Sequence, residues 1–262
     1  MSIHQLSVQV PTFDGQLPAY YWAGGESEGA PGIVLLMEAY GLTPHILDVG
    51  ERLAREGFKV IAPDLYHRQF PDTTFRYEER PAAMEAMEAI DVRLAVKDAV
   101  GAMAYLRIEQ NVEVMSAVGL CFGGSLILPL CSEVGDELSA GVSFYGHCSG
   151  EWLAWANSKI ESPLLFFYGM ADAVFRPPEV DALEAKLKSL DKDCSILRLP
   201  NAGHAYMNPA RKEYNQEAAE QSWDAMSRFL WQKTLPSRLA DTRALVDHKS
   251  PQSKSASTFI SN

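Results

Sequence analysis

The sequence predicts an α/β fold: a mostly parallel central sheet with helices on both faces and an N-terminal antiparallel hairpin. Three observations carry this. Short β-type runs recur along the chain, the most continuous being Ile33-Val34-Leu35-Leu36-Met37 and Leu164-Leu165-Phe166-Phe167-Tyr168, as strands buried on both faces require. Segments with the 3.6-residue period of helices lie between them. Ahead of them, residues 4–10 and 17–22 alternate around Asp14-Gly15, a hairpin signal. Strands alternating with helices imply right-handed crossovers and parallel pairing.

The elements follow in order. A Gly-rich loop over 24–32 leads to the strand 33–37, which ends at Glu38-Ala39-Tyr40-Gly41. Thr43-Pro44 supplies an N-cap and a first-turn proline for a helix to about Glu56, with Ile46, Val49, Leu53 and Ala54 on one side and Gly57 as its stop. The next strand is 59–62, stopped by Pro63-Asp64-Leu65-Tyr66. Residues 67–80 have no clear period and hold Phe70, Phe75 and Tyr77 with Arg68, Arg76 and Arg80; they read as a long loop, either covering a site or lying as a solvated surface segment. One helix is expected over 84–107, with Val92, Val96, Ala99, Val100, Met103 and Leu106 toward the core. Strands follow at 113–118, 141–145, 164–168 and 195–199, and helices after Cys121, at 178–190 and at 213–233. Residues 1–235 form the expected globular domain. Beyond them lies a Ser-, Lys- and Arg-rich extension, 236–262, with one further helix over 238–246 and disorder from 248 on.

A chain of 262 residues with 47% hydrophobic residues can bury one large core. The formal charge of −11 argues against nucleic acid as the main partner. No run of 18 apolar residues exists, so no membrane partner is expected, and the first ten residues are too polar for a signal peptide. A cytoplasmic monomer with a small-molecule partner is the default expectation. The four cysteines, Cys121, Cys131, Cys148 and Cys194, make no C-x-x-C pair and no zinc-type grouping with histidine, so free thiols, no metal and no cofactor are expected.

One cysteine stands apart. Gly119-Leu120-Cys121-Phe122-Gly123-Gly124 places Cys121 at a strand-to-helix turn flanked by glycines, the form of a nucleophile elbow with cysteine in place of serine. Glycine removes the Cβ atoms that would clash in so sharp a turn. An inert cysteine in a glycine turn is the plainer alternative. In parallel sheets, ligands bind beyond the carboxyl ends of the strands. Glu38, Cys121, Tyr145, His147, Asp172 and His204 all fall just after expected strands, so they gather at one edge. In the order nucleophile, acid, base, His204 takes the thiol proton and Asp172 orients the imidazole. His147 is the rival base; His45 and His67 read as structural or surface groups, and Asp64 as a turn or cap. The amides of Phe122 and Ala39 are placed to serve as oxyanion donors. Glu38, a carboxylate at the end of an apolar strand, faces Cys121 in this reading and raises its pKa by like-charge repulsion. Arg68, Arg76 or Arg80 would hold a substrate carboxylate, each being otherwise a solvated charge.

Over residues 5–234 the chain resembles the dienelactone hydrolase family. The matches are the elbow, Ala62-Pro63-Asp64-Leu65-Tyr66-His67-Arg68-Gln69, Glu38-Ala39-Tyr40-Gly41, Gly169-Met170-Ala171-Asp172 and Ala202-Gly203-His204-Ala205-Tyr206. The resemblance implies an α/β-hydrolase fold and a Cys121–Asp172–His204 triad. It also implies a Glu38 switch in which the substrate's carboxylate displaces the glutamate and the thiol is deprotonated. The implied reaction is hydrolysis of an enol-lactone to maleylacetate, or of another lactone or ester. Family members carry an arginine four residues beyond the histidine; here Asn208 stands there, with Arg211 a turn later. Arg80, Arg68, Tyr145 and Arg211 are the candidate substrate-binding residues. The alternatives are a thioesterase or acyltransferase on the same triad, and a non-catalytic binding or redox-sensing scaffold.

Overall fold

The computed structural model describes residues 2–24 and 29–247. Eight strands form one sheet in the order β1-β2-β4-β3-β5-β6-β7-β8. The hairpin is β1 (Ile3–Thr12) and β2 (Gly15–Gly24), and β2 joins the sheet by pairing antiparallel to β4 (Lys59–Pro63). From there every pairing is parallel, through β3 (Gly32–Leu36), β5 (Met115–Leu120), β6 (Ala140–Phe144), β7 (Leu164–Gly169) and β8 (Cys194–Leu199).

Successive side chains of a strand point to opposite faces, and this divides the core in two. Ile33, Leu35, Val118, Leu165 and Phe167 pack with α1 (Pro44–Arg55) and α7 (Gln216–Asp247), through Ile46, Val49, Leu53, Trp223, Met226 and Leu230. Val34, Leu36, Ala117 and Phe166 face the other way. There they meet α3 (Val92–Ile108), α5 (Ile127–Val134) and α6 (Pro177–Ser189), through Val96, Met103, Leu106, Ile127, Leu130, Val180 and Leu183. The inner strands β3, β5, β6 and β7 are buried at every position because both faces are covered, whereas the edge strands β1 and β8 are partly exposed.

Helix ends follow local chemistry. Thr43 Oγ1 accepts the Ile46 amide at 3.4 Å, Pro44 opens α1, and Gly57 behind it takes φ +101°. The helix expected over 84–107 is two. α2 (Arg80–Glu88) stops, and α3 restarts because Asp91 Oδ1 accepts the amides of Arg93 and Leu94 as an N-cap. The 67–80 stretch is mostly turns, closing with a 3₁₀ turn at Tyr77–Glu79. α7 begins at Gln216 rather than 213, with Asn215 Oδ1 taking the Ala218 amide. It runs to Asp247, so the segment expected as a separate helix over 238–246 is its continuation. Residues 25–28 of the Gly-rich loop, and the stretch from 248 on where disorder is expected, lie outside the described residues. Among the described residues no helix is long and apolar enough to cross a membrane.

Candidate active site

β5 ends at Leu120 and the chain turns at once into α4 (Phe122–Ser125). At the turn Cys121 sits at φ 54°, ψ −113°, a strained conformation for a residue with a Cβ, costing on the order of 1–3 kcal/mol. Sheet hydrogen bonds hold it there: Cys121 N–H donates to Phe144 O at 3.0 Å and Gly123 N–H to Met37 O at 2.8 Å. The glycines are sterically required. A Cβ on Gly119 would lie 2.1 Å from Gly123 O, and one on Gly123 would lie 2.2 Å from Leu36 O.

The turn after β7 brings Asp172, and the turn after β8 brings His204. His204 Nδ1 lies 2.9 Å from Asp172 Oδ2, and His204 Nε2 lies 3.4 Å from Cys121 Sγ. Asp172 is buried, and its Oδ1 accepts the amides of Val174 at 2.6 Å and Phe175 at 3.2 Å, so the carboxylate that orients the imidazole is itself fixed. The imidazole is held edgewise between Tyr145 and Phe175, with ring centroids 5.2 and 5.3 Å away. Burial works against a charge on His204. The facing Cys121 charge and the hydrogen bonds to Asp172 and Cys121 outweigh it and raise the imidazole pKa to about 10.

Glu38 is buried just beyond β3. Its Oε1 accepts two hydroxyls, Thr43 Oγ1 at 2.7 Å and Tyr77 at 2.8 Å. Burial raises its carboxyl pKa against those two hydrogen bonds and the charges of Arg211 and His204. Glu38 borders the same cavity as Cys121, yet among the described residues no hydrogen bond joins them; the thiol is turned to His204. Also among the described residues, neither the Phe122 nor the Ala39 amide has an acceptor, as groups reserved for an oxyanion would require.

A cavity of about 360 Å³ opens over the thiol. Phe122, His147, Trp152 and Phe175 give it an aromatic end, Met84 and Met87 of α2 an aliphatic wall, and Arg80 and Arg211 a cationic rim. Arg211 lies over Tyr77 and Tyr40, 5.0 and 5.4 Å from their ring centres, with Glu213 at 3.6 Å. Arg68 is not part of this site. Its guanidinium is committed to Asp14 at 2.8 Å and to the buried Asp98 at 2.5 Å, so it has no free edge for a ligand. Tyr145 lies fully buried behind His204 at φ 41° and supports the imidazole without bordering the cavity. His147 borders the cavity, stacked 6.2 Å from Trp152, and burial lowers its pKa. His204, not His147, bonds the thiol. Asp64 forms a turn, Oδ1 accepting the Tyr66 amide at 2.9 Å, and His67 lies 3.4 Å from Asp98.

Sequence reasoning missed Thr43 and Tyr77 as partners of Glu38, and Asn208, whose amide donates to the Tyr77 hydroxyl at 2.6 Å. Thr43 was visible only as a helix cap. Tyr77 and Asn208 carry no motif, and they meet only in the folded chain.

Comparison with known proteins adds an independent line. The model of the dienelactone hydrolase family matches residues 18–234. A Synechocystis protein provisionally named a carboxymethylenebutenolidase is 27% identical over 85% of this chain and 94% of its own length. A Methylorubrum extorquens protein of the same provisional name is 28% identical over 82% of this chain and 77% of its own. The crystal structure of a provisionally named dienelactone hydrolase from Klebsiella pneumoniae superposes with a TM-score of 0.82 at 25% identity, covering 88% of this chain and all of that one. The eight-stranded sheet, its antiparallel first pair and these relatives agree: this chain is a hydrolase with the α/β-hydrolase fold and belongs to the dienelactone hydrolase family.

Proposed function

We propose that the protein hydrolyses small lactones or esters with Cys121 as nucleophile, His204 as base and acid, and Asp172 as the group that orients His204. The observation that carries this is the Cys121–His204–Asp172 chain, 3.4 and 2.9 Å long in its two links, at a strained elbow facing a cavity. The Cys121 thiolate adds to the substrate carbonyl carbon, and the carbonyl oxygen becomes an oxyanion between the Phe122 and Ala39 amides. Such donors are typically worth about 3 kcal/mol each. Collapse breaks the carbon–oxygen bond and leaves a thioester on Cys121. The departing oxygen takes the His204 proton, either as the bond breaks or, when it leaves first as the enolate of an enol-lactone, directly afterwards, so that His204 is neutral for the next step. Water then gives its proton to His204, adds to the thioester, and releases the acid and the thiolate.

The relatives' name points to an enol-lactone bearing a carboxymethylene group, and Arg80 and Arg211 at the rim suit a substrate carboxylate. Residues 1–235 form the catalytic domain and 236–262 an extension to it. A cytoplasmic, reducing compartment and a monomeric chain complete the reading. Cys131 and Cys148 are buried thiols whose pKa burial pushes up to about 12 and about 11, and burial also raises that of Cys194, which leaves Cys121 as the thiol with an activating partner.

The test is rapid acid quench of the enzyme with p-nitrophenyl acetate and with an enol-lactone, followed by peptide mass spectrometry. An acyl group on the Cys121 peptide during turnover is expected. Absence of both adduct and turnover overturns the proposal; an adduct that resists water but passes to a thiol or alcohol redirects it to acyl transfer.

A further inference from the structure

Glu38 is held by a directional chain of hydrogen bonds. The Ala210 amide donates to Asn208 Oδ1 at 2.9 Å, which fixes the Asn208 side chain with its NH₂ outward. That NH₂ donates to the Tyr77 oxygen at 2.6 Å, so the single Tyr77 proton is left for Glu38 Oε1, 2.8 Å away. Thr43 uses its oxygen as the cap of α1 and its proton on the same Oε1. Asn208, Thr43 and Glu38 are almost wholly buried, at 0%, 1% and 2% exposure, where a wrongly made polar contact is costly. The Tyr77 ring is fixed in turn, edge-on to Tyr40 at 4.9 Å with the Arg211 guanidinium over it. Three stretches of the chain, around residues 38–43, 77 and 208–210, thus meet at one carboxylate oxygen.

We infer that Tyr77 is a positioning residue: with Thr43 and Asn208 it latches Glu38 off the thiol, so that Cys121 is paired with His204 before substrate arrives and uncharged lactones and esters are attacked without a carboxylate to release the nucleophile. The inference rests on the cysteine-hydrolase reading above. In a site where the glutamate restrains the thiol, an anionic substrate is needed to displace it. Here the glutamate already has two hydroxyl donors, and the thiol already has its base. Removing the Tyr77 hydroxyl leaves Glu38 with one donor, free to take the thiol proton in a hydrogen bond and to oppose the thiolate charge. Both effects raise the thiol pKa.

The other titratable and charged groups around the pair come from every neighbouring segment. Arg211 and His204 act on Glu38 from the 200–215 stretch, which also brings Glu213 to the cavity beside Arg211; Arg80 borders the cavity from α2 and His147 from the turn after β6. Tyr145 after β6 and Tyr66 after β4 face the thiol as neutral phenols whose pKa burial raises, and Asp172 lies behind His204. None of these changes when the Tyr77 hydroxyl is removed, so a shift in thiol titration reports on Glu38.

The experiment follows alkylation of Cys121 by iodoacetamide across pH in the wild type, Tyr77→Phe and Tyr77→Phe/Glu38→Gln, with kcat/KM for p-nitrophenyl acetate beside it. Tyr77→Phe is expected to move the alkylation midpoint up by about one pH unit and to lower kcat/KM about tenfold on the limb where the thiolate is scarce. Adding Glu38→Gln is expected to return both toward wild type, which a merely structural role for Tyr77 would not do. Asn208→Ala, which unfastens the other side of the phenol, is expected to shift the midpoint in the same direction by less, and it supplies the readout if Tyr77→Phe does not fold. An unmoved midpoint, or a shift that Glu38→Gln leaves in place, overturns the inference. That failure is distinct from failure of the cysteine mechanism, which shows as a wild type that never becomes acylated.

Discussion

The two walls of the cavity are made differently. Cys121, Asp172 and His204 stand on turns that leave β5, β7 and β8, and each turn is fixed by backbone: sheet hydrogen bonds at Cys121, two amides on Asp172, and glycines with no room for a methyl group. The opposite wall is the stretch from Asp64 to Glu88, which crosses the site between β4 and α3 without joining the sheet. It is held mainly by side chains, through the Tyr66, Phe70 and Phe75 cluster and the Tyr77–Glu38 bond, with backbone bonds from Asp64 to Pro18 at 2.8 Å, where it leaves the sheet, and from Phe75 to Tyr40 at 2.9 Å. The first wall places reacting atoms to within tenths of an ångström, which bond making requires. The second is built from groups that can be exchanged without disturbing the sheet. In the proposed mechanism the frame carries the reacting groups, and the crossing segment carries Arg80 and the Tyr77 contact that sets Glu38.

Four variants press on that division. The largest effects belong to the elbow. Cys121→Ala is expected to lower esterase activity by at least about 10⁴-fold, and to lower the unfolding midpoint in urea because the partner that raises the His204 pKa is lost with it. Gly123→Ala, whose Cβ would strike Leu36 O, is expected to cost about 3 kcal/mol in the same unfolding assay and most of the activity with it. A stable, active Gly123→Ala would break the claim of a rigid frame. Next comes pH. The His204 pKa is about 10 in the fold against 6.5 for the free group, so its contribution to stability is full below about pH 6.5 and is lost as pH rises through about 10. The stability gap between wild type and His204→Asn, taken from urea unfolding across pH 6 to 10.5, is therefore expected to shrink over that window; a gap that widens contradicts the ion pair. The smallest effect belongs to the crossing segment. Arg80→Ala is expected to raise KM about tenfold for an ester bearing a carboxylate, to leave a neutral ester within about twofold, and to leave stability within about 0.5 kcal/mol.

Sequence and structure agree where the determinants are local. The strands were legible because burial on both faces demands unbroken apolar runs, and the elbow because its glycines answer to sterics a few residues apart. Asp172 and His204 were legible through one topological rule about strand ends. The break at residues 89–91 was missed because the apolar period of 84–107 carries across it, although Asp91 was there as a cap. Arg68 was misplaced because a lone arginine in a loop does not reveal that Asp14 and Asp98 await it. The setting of Glu38 was the least legible part. Its donor Tyr77 lies 39 residues away, and Asn208 lies 131 residues from Tyr77, so neither pairing leaves a local trace.

Arg68 also bears on the order in which this protein assembles. It joins the turn of the hairpin, at Asp14, to Asp98 in the middle of α3, a carboxylate with no water contact of its own. β2 has β1 on one side and only β4 on the other, and a two-stranded hairpin is marginal in water by itself. During synthesis the hairpin therefore waits as a loosely formed pair until β4 has been made. It becomes fastened only when α3 arrives some thirty residues after Arg68 and gives the guanidinium its second carboxylate. The hairpin strands are thus secured only once two elements that follow them in the chain, β4 and α3, are in place.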